Sequence, residues 1–588
     1  MKTVLGWSIV GILDSEAKRS NGTSCHFAFR VHTREVSPVQ LMHLLEADFH
    51  DTLEEHTYSQ DDTKFMNIVK SKIHQREDLH FEMPLPLRDQ MFSFPDNREV
   101  ALKRLQGLKR RLAKDPRFRE EYEAFMNDML ERGYAEVVPA DEQEQEAGHV
   151  WYVPHHGVYH PKKAKLRVVF DCSAQHQGVS LNSQLLQGPD VGNSLIGVLI
   201  RFRKELVGLS CDVQGMFNQV GVNPEDRNLL RFLWWKRGDI TASPEEHRMT
   251  THLFGATSSP ACAMMALKET ANRYESTSGR SAAEFVRRNF YVDDGLTSVP
   301  DVESAVDLAK RTIDLCAKGG FNLRKFASNE SEVLLQLPAN RRAKDLQEVE
   351  VMSEMTALEH TLGIRWNLRD DTLGFSFETP ERPPTRRGIL SLVSSLYDPL
   401  GFVSPVTLQG KKILKQLCTD GYDWDDPLAD ETAQRWESWK SGLSQLSSVS
   451  VPRCYAHGLG QECVKLYELH HFCDASLEGY GYCSYLRIMT EDGQMASSLV
   501  FSKARVTPKR PLTVPRLELT AAVAMVKGSC LLRRELDIPE LNEVFWTDSK
   551  VVLGYIYNES KRFHVFVSNR VQQIRQATRP TQWRHVRR

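Results

Sequence analysis

The stretch FYVDDGLTSV, residues 290–299, places two adjacent aspartates, Asp293 and Asp294, among apolar neighbours. The apolar residues on either side favour the two strands of a hairpin, and the pair Asp294–Gly295 is typical of the tight turn between them. Two carboxylates at the tip of a hairpin repel each other unless a cation neutralises them. The stretch therefore predicts either a divalent metal site or a solvated Asp-Gly turn, and a third carboxylate elsewhere in the chain would favour the metal.

The composition is that of a globular protein with more than one domain. The 588 residues are enough for several domains, and the hydrophobic and charged fractions, 41% and 26%, are ordinary. The sequence has no apolar run of about 18 residues, no cleavable signal sequence and no CxxC spacing among its 11 cysteines, so an intracellular protein with reduced thiols is expected. The net charge of −2 does not decide for or against nucleic acid, because charges can be segregated locally.

Two helices are predicted after an N-terminal stretch that is hard to assign. Asp96 or Asn97 begins the first helix, in which the leucines of Leu102–Leu112 recur at helical spacing, and Asp115–Pro116 begins the second. The other face of the first helix carries lysines and arginines. This pattern predicts either a plain solvated face or a contact with a phosphate backbone.

A third carboxylate follows another short apolar strand, in GLSCDVQGMFNQV. Asp212 ends this strand, and Phe217 lies five residues further on. Asp212, Asp293 and Asp294 are the three carboxylates that a two-metal phosphoryl-transfer site needs, with two cations about 3.5–4 Å apart on the attacking and departing oxygens. The trio favours the metal site over the solvated turn.

The residues around these aspartates resemble the reverse transcriptases, and in particular the polyproteins of BEL/Pao-type LTR retrotransposons. The matching pieces follow in the family's order: WYVPHHGVYHPKKAKLRVVFDCSA, SLNSQLLQGPDVGNSLIGVLIRFR, CDVQGMF, LFGATSSPACAMMAL, YVDD, GGFNLRKFASN and TLGIRWN. The resemblance implies an RNA-directed DNA polymerase that adds deoxynucleotides to a primer with two Mg²⁺ ions. It also implies an α+β right-hand fold of fingers, palm and thumb, with the carboxylates on the palm sheet.

The resemblance assigns roles to residues around the aspartates. Arg167 falls where the fingers contact the incoming triphosphate, and an arginine fork suits phosphate oxygens. Lys325 matches a lysine near the triphosphate that can protonate pyrophosphate; the alternative is a solvated lysine at a helix end. The segment Leu362–Trp366 resembles the primer-grip hairpin.

Two further positions concern the nucleotide pocket. Phe217 occupies the steric-gate position, where a bulky ring against C2′ of the sugar excludes ribonucleotides; the alternative is an ordinary core aromatic. Gly255 lies in the motif that passes beneath the nucleotide and the template. Retroviral enzymes usually carry a glutamine before this glycine, whereas this chain has Phe254, so no polar contact is assigned there.

The C-terminal region carries a second set of carboxylates. Asp474 ends a strand, Glu518 lies on an apolar helix, where a charge is costly unless paired or bound to metal, and Asp548 ends a further strand. The order resembles ribonuclease H, which implies one or two Mg²⁺ ions acting on an RNA–DNA hybrid. In the alternative, Asp474 and Asp548 only cap turns. The family's fourth carboxylate lies beyond Arg588, so an α/β RNase H-like domain incomplete at its C-terminus, with weak or absent activity, is expected.

The first residues, TVLGWSIVGIL, resemble the end of the family's aspartic protease, but no Asp-Thr/Ser-Gly motif precedes them and no protease activity is expected. The chain is therefore expected to be a central part of a retrotransposon polyprotein. The predicted division assigns a protease remnant to 1–15, a linker to 16–95, the N-terminal helical part of the fingers to 96–150, fingers and palm to 151–370, thumb and connection to 371–460, and a truncated RNase H-like domain to 461–588.

The leading prediction is a retrotransposon RNA-directed DNA polymerase. Its partners would be an RNA template, a DNA primer, an RNA–DNA hybrid and deoxynucleotides, without a membrane, in a cytoplasmic virus-like particle or after nuclear entry. The alternative is a degenerate or host-adopted protein that only binds nucleic acid, and the intact Asp212, Asp293 and Asp294 count against it. A host polymerase or a telomerase-like enzyme is disfavoured by the appended nuclease and the protease remnant.

Overall fold

The computed structural model describes residues 58–143, 148–159, 166–343, 364–375, 381–459 and 464–587, together with the backbone of three short strands. Two of these strands, β1 (Lys2–Thr3) and β2 (Gly6–Trp7), form an antiparallel pair within the expected protease remnant, and the rest of that remnant lies outside the described residues. The third, β15 (Leu358–Thr361), belongs to a sheet in the second half of the chain.

The first third of the chain alternates helices with short strands. The predicted helical pair is present, and Asp115 accepts a hydrogen bond from the backbone N–H of Phe118 at the start of its second helix. Phe118 and Tyr122 of that helix are buried, as their spacing predicts. The elements are α1 (Gln60–Lys72), β3 (His74–Gln75), β4 (Phe81–Met83), α2 (Arg98–Lys114), α3 (Pro116–Glu131), β5 (Ala135–Val137), β6 (His155–Tyr159), β7 (Leu166–Phe170), α4 (Leu181–Gln184) and α5 (Leu195–Phe202).

Residues 58–95 lie in the stretch expected to be a linker, yet they pack into the core. Phe65 on α1 and Phe81 on β4 are wholly buried, and β4 pairs in parallel with a strand more than a hundred residues away, β9 (Gly221–Val222). Strands of two or three residues are too short to carry a hydrophobic period. The sequence pattern therefore could not reveal that this stretch is part of the folded unit.

The middle of the chain builds a four-stranded antiparallel sheet, the central sheet, on which α5 packs. The elements here are β8 (Val207–Val213), β10 (Arg231–Trp235), β11 (Pro244–Met249), α6 (Ser259–Ser278), α7 (Arg280–Asn289), β12 (Phe290–Tyr291), β13 (Asp294–Val299), α8 (Val302–Ala317), β14 (Leu323–Ser328) and α9 (Ser331–Leu335). The central sheet has the order β12-β13-β8-β14, and β10-β11-β5 form a separate sheet.

The last part of the chain builds a five-stranded sheet, the C-terminal sheet, after a mainly helical stretch. The elements are β16 (Ile364–Asn367), β17 (Thr372–Gly374), α10 (Arg386–Val393), α11 (Ser404–Thr419), α12 (Asp430–Gly442), β18 (Ser450–Pro452), β19 (Val464–Ala475), β20 (Gly479–Thr490), β21 (Met495–Val506), α13 (Val514–Leu536), β22 (Asn542–Thr547), α14 (Lys550–Tyr557), α15 (Val565–Ala577) and β23 (Trp583–His585).

The C-terminal sheet has the order β21-β20-β19-β22-β23, with β22 parallel to both of its neighbours. Helix α13 packs on β19 and β20. The C-terminal incompleteness that the resemblance implies stays a prediction. Among the helices that the structure describes, none combines the length and apolar character needed to cross a bilayer.

The two large sheets share one hydrophobic core. Leu209 of β8 and Leu469 of β19 belong to the same continuous cluster of buried side chains. An ion pair between Arg201 of α5 and Glu535 of α13 joins the same two parts of the chain. The C-terminal sheet is therefore packed directly against the elements that support the central sheet.

Two wholly buried arginines reinforce this junction. Arg203 donates to the backbone carbonyls of Arg453, at 3.0 Å, and Leu499, at 2.7 Å. Arg453 binds Asp371 through two hydrogen bonds of 2.7 and 2.8 Å. Its remaining donors reach the carbonyls of the segment that leads into β8: Phe202 at 2.8 Å, Glu205 at 2.9 Å and Leu206 at 2.5 Å. Buried charges are tolerated only with such complete pairing.

Candidate active site

The hairpin between β12 and β13 turns at Val292 and Asp293, not at the predicted Asp294–Gly295. Asp294 is instead the first residue of β13 and lies opposite Asp212 of β8. The register of the sheet therefore outweighs the local preference of Asp-Gly for a turn. Val292 has φ +57°, in the left-handed region that a β-branched residue rarely adopts, so the turn stores backbone strain.

The sheet brings the three predicted polymerase carboxylates to one edge. Asp212 and Asp294 are paired positions on antiparallel strands, which puts their Cβ atoms about 4.5–5.5 Å apart. The carbonyl of Asp293 accepts a hydrogen bond of 2.8 Å from the backbone N–H of Val213, so the turn is tied to the end of β8. Burial raises the pKa of the Asp293 carboxyl, and the charge of Asp212 raises it further.

Lys325 of β14 lies at the same cluster. Its Nζ donates to Oδ2 of Asp212 at 2.7 Å. On β14, Arg324 pairs with Asp212, and the register then shifts before Ala327, so Lys325 sits in a bulge with φ +57°. A bulge redirects a side chain, here toward the aspartates. The sequence carried no local signal for this contact, since 113 residues separate its two partners.

The donor chemistry of the trio suits Mg²⁺, which prefers carboxylate oxygens. As the side chains stand, no three His, Cys, Asp or Glu groups within the described part of the chain lie close enough together to hold a metal. The ammonium of Lys325 takes the position of a cation at Asp212. The residues therefore fit a divalent ion in the chemistry of their donors and in the placement of their backbones.

Phe217 lies on a 3₁₀ turn, Met216–Gln219, shortly after β8. Its side chain is 7% exposed and belongs to the core cluster of the central sheet. Its ring contacts that of Phe254, with 4.3 Å between the ring centroids and 60° between the planes. The position is thus largely a core position, as the alternative of an ordinary core aromatic holds, and the steric-gate role stays a prediction.

Gly255 is fixed in a conformation that a side chain would disturb. Its φ is +122°, and an added Cβ would lie 2.4 Å from the carbonyl oxygen of Phe170 at the end of β7. Asn182 clamps the same loop: its Nδ2 donates to the Gly255 carbonyl at 2.9 Å and its Oδ1 accepts from the Thr257 N–H at 3.0 Å. Sequence reasoning missed Asn182, which lies 73 residues from the loop it holds.

Two other predicted contacts stay predictions. Arg167 lies on β7 opposite Val158, with its side chain exposed, so it is available to a ligand. Of the predicted primer-grip segment, Leu362 and Gly363 lie outside the described residues. Trp366 is buried, and its Nε1 donates to Asp371 at 2.9 Å, so this side chain supports the sheet rather than facing a ligand.

The carboxylates of the C-terminal region gather at one edge of the C-terminal sheet. Asp474 is the penultimate residue of β19, and Asp548 directly follows β22. The two strands are parallel neighbours, and Cys473 lies opposite Thr547. Asp474 and Asp548 each directly follow one member of this pair in the sequence.

Glu518, near the start of α13, reaches the same edge through Ser549. The Ser549 hydroxyl donates to Oε2 of Glu518 at 2.6 Å and accepts from the Val552 N–H at 3.2 Å, so it both holds Glu518 and caps α14. The predicted order of strand, helix and strand for the three carboxylates is therefore confirmed. Ser549 was not predicted as part of the cluster.

A cleft of about 1500 Å³ opens between the hairpin and the C-terminal sheet. Its walls include Tyr291 and Val292 of the hairpin and Lys527 of α13. Seven arginines and lysines line it against three carboxylates. An excess of positive charge in a cleft favours a phosphate-rich ligand.

Residues 385–549 match the family model of the Pao retrotransposon-like RNaseH-like domain, which spans the helical stretch and most of the C-terminal sheet. No curated protein matches the sequence. A solved structure of the foamy viral protease-reverse transcriptase dRH with double-stranded DNA is similar in fold, with a TM-score of 0.51 and 12% identity over 94% of this chain and 81% of that chain.

Two further foamy viral protease-reverse transcriptase structures are similar at 12% identity and a TM-score of 0.48, one with an RNA/DNA hybrid and one with double-stranded DNA. They cover 95% of this chain and 64% and 94% of their own chains. At such identities only the fold is compared. The chain thus has a mixed α/β fold similar to that of the foamy viral protease-reverse transcriptase, and residues 385–549 are similar to the Pao retrotransposon-like RNaseH-like domain.

Proposed function

We propose that the chain is an RNA-directed DNA polymerase of a BEL/Pao-type retrotransposon. One observation carries the proposal: the central sheet pairs Asp212 with Asp294 and holds Asp293 in the adjoining turn. Three carboxylates on one sheet edge are the donors that two-cation phosphoryl transfer requires. The fold shared with a reverse transcriptase supports the same conclusion.

Asp212, Asp293 and Asp294 would hold two Mg²⁺ ions. When bound, the ions would neutralise charge on the attacking 3′-oxygen and the departing pyrophosphate. The pKa of Asp293 is raised by its burial and, to a smaller extent, by the charge of Asp212, and a bound cation would offset both effects. Lys325, whose Nζ lies 2.7 Å from Oδ2 of Asp212, would act as the proton donor to the departing pyrophosphate.

The duplex of template and primer would occupy the basic cleft beside the hairpin. In this arrangement residues 151–370 act as fingers and palm, residues 371–460 act as thumb and connection, and Arg167 meets the triphosphate. The foamy viral relative was solved with double-stranded DNA, which fits a duplex ligand for this chain as well. The protein would work in a cytoplasmic virus-like particle, with deoxynucleotides as substrates and no protease activity of its own.

Primer extension on an RNA template tests the proposal. Asp293→Asn should lower the extension rate at least a hundredfold, because charge stabilisation by bound metal is worth several kcal/mol of barrier. Template binding, measured by fluorescence anisotropy, should stay within a few-fold because it rests on many phosphate contacts. Asp307→Asn, the same chemical change on the exposed face of α8, is the matched control and should extend normally. Wild-type extension by Asp293→Asn would refute the assignment.

We also propose that the C-terminal carboxylates support little RNase H activity. Asp474, Glu518 and Asp548 would at most hold one Mg²⁺ ion, since three carboxylates fill only part of two octahedral shells. The wild-type chain should therefore extend a primer without appreciable cleavage of the RNA strand of a hybrid. Efficient cleavage that is lost in Asp548→Asn would overturn this part of the proposal and leave the polymerase assignment intact.

A further inference from the structure

Phe254 is an exposed aromatic residue in a loop that also contains buried apolar side chains. Its side chain is 65% exposed, whereas the neighbouring Leu253 and Ala256 are buried. A single exposed apolar side chain is common on protein surfaces and needs no explanation by itself. Here, however, the ring is in close contact with Phe217: their centroids are 4.3 Å apart, slightly less than the separation of about 4.5–7 Å usual for aromatic pairs.

The backbones that carry the two rings are tied to each other. The N–H of Val222 donates to the carbonyl of Thr250 at 2.8 Å, and the N–H of His252 donates to the carbonyl of Val220 at 2.9 Å. The loop is also pressed against the end of β7 at Gly255 and clamped by Asn182 as described above. Neither segment can move without the other.

We propose that Phe254 is a positioning residue that holds the Phe217 ring in place, so that exclusion of ribonucleotides depends on the pair and not on Phe217 alone. The inference rests on the proposed polymerase function. The Phe217 ring is only 7% exposed, and Phe254 is a packing partner that restricts its rotation. Without Phe254, the ring gains rotamer freedom and can turn away from a 2′-hydroxyl.

The test is single-nucleotide insertion with matched deoxy- and ribonucleotides, reporting the ratio of their kcat/KM values. Phe217→Val should lower this ratio by about 10–200-fold, the usual effect of changing one group in a tight pocket. Phe254→Ala should lower it about 5–30-fold, mainly through a lower KM for the ribonucleotide. Phe254→Tyr, which keeps the ring, should have a ratio within about twofold of the wild-type value. A general folding defect would instead reduce insertion of both nucleotides together.

The double variant separates a coupled pair from two independent contacts. Because Phe254 acts through Phe217, adding Phe254→Ala to Phe217→Val should lower the ratio no further. Leu335→Ala, a truncation of an apolar side chain that is 50% exposed on α9, controls for loss of surface area and should leave the ratio at its wild-type value.

Three outcomes would overturn the inference. An unchanged ratio in Phe254→Ala, with the ratio lowered in Phe217→Val, would show that the gate needs no support, and the polymerase assignment would stand. Fully additive losses in the double variant would show two independent contacts. A wild-type chain that extends no primer at all would remove the proposed function and the inference with it. If Phe254→Ala does not fold, Phe254→Leu is measured in its place with the same expectations.

Discussion

Replacing Arg453 with leucine should loosen the base of β8, the strand that carries Asp212. Arg453 is wholly buried and makes two hydrogen bonds to Asp371 and three to the backbone carbonyls that precede β8. Leucine fills most of the space but donates nothing. The substitution therefore leaves the carboxylate of Asp371 without its charged partner and removes one donor from each of three carbonyls ahead of β8, of which that of Leu206 keeps the side-chain amide of Asn329 at 3.1 Å.

The expected loss in the free energy of unfolding is large for a single substitution. Removing one member of a buried ion pair typically costs about 3–5 kcal/mol, because the remaining charge is left buried. Asp371 keeps some contact with solvent, its side chain being 20% exposed, so the lower end of that range, about 3 kcal/mol, applies. Arg387→Leu is the matched control: Arg387 binds Asp425 through two hydrogen bonds of 2.7 and 2.9 Å, but Asp425 is 70% exposed. Such a surface pair is worth about 0–1 kcal/mol.

Urea unfolding measures the loss of stability, and amide hydrogen exchange by mass spectrometry measures the loosening at the base of β8. In Arg453→Leu, peptides that cover residues 202–213 should exchange faster than in wild type, whereas in Arg387→Leu they should not. The double variant Arg453→Leu/Asp371→Leu should recover part of the loss, because removing both charges is less costly than removing one. Equal losses in Arg453→Leu and Arg387→Leu would refute the reasoning.

Three further predictions concern single side chains. Burial raises the pKa of Asp226 to about 6, so the folded protein holds a proton that the unfolded chain releases. Stability should therefore fall as pH rises from about 4 to about 6, and urea titrations of Asp226→Asn should lack this fall. Lys325→Gln should tighten Mn²⁺ binding by up to about fivefold, because the ion pair of Lys325 with Asp212, worth up to about 1 kcal/mol, no longer competes with the metal. Electron paramagnetic resonance measures the binding, and Lys310→Gln should leave it unchanged. Ser549→Ala should lower the stability of the C-terminal region by about 1 kcal/mol through loss of its helix cap, and Ser549→Thr should retain most of it.

Local sequence patterns were sufficient to predict the strands and the helix that carry the candidate site residues. Asp212 lies near the end of a strand, Glu518 lies on a helix, and Asp548 directly follows a strand, all as predicted. Each of these side chains follows or lies within a run of apolar residues long enough to show its period. Their roles in catalysis stay predictions.

Features set by distant pairing could not be predicted. The turn at Val292 and Asp293 depends on the register between β13 and β8, which overrides the Asp-Gly preference. The contact of Lys325 with Asp212 depends on a bulge in a third strand. The packing of residues 58–95 depends on a parallel partner for β4 that lies more than a hundred residues away. In each case the interaction that decides the structure joins residues too far apart in the chain for a local sequence pattern to predict it.

The hydrogen bond from the Arg203 side chain to the Arg453 carbonyl also governs when the protein can finish folding during translation. The two residues are 250 positions apart. At about 5–20 residues per second, the ribosome releases the first on the order of 12–50 s before the second. Throughout that interval the carbonyls ahead of β8 have emerged without the guanidinium that binds them, and a fragment of this chain that ends before residue 450 would remain in this state. The strand that carries Asp212 is thus completed by sequence that is translated long after it.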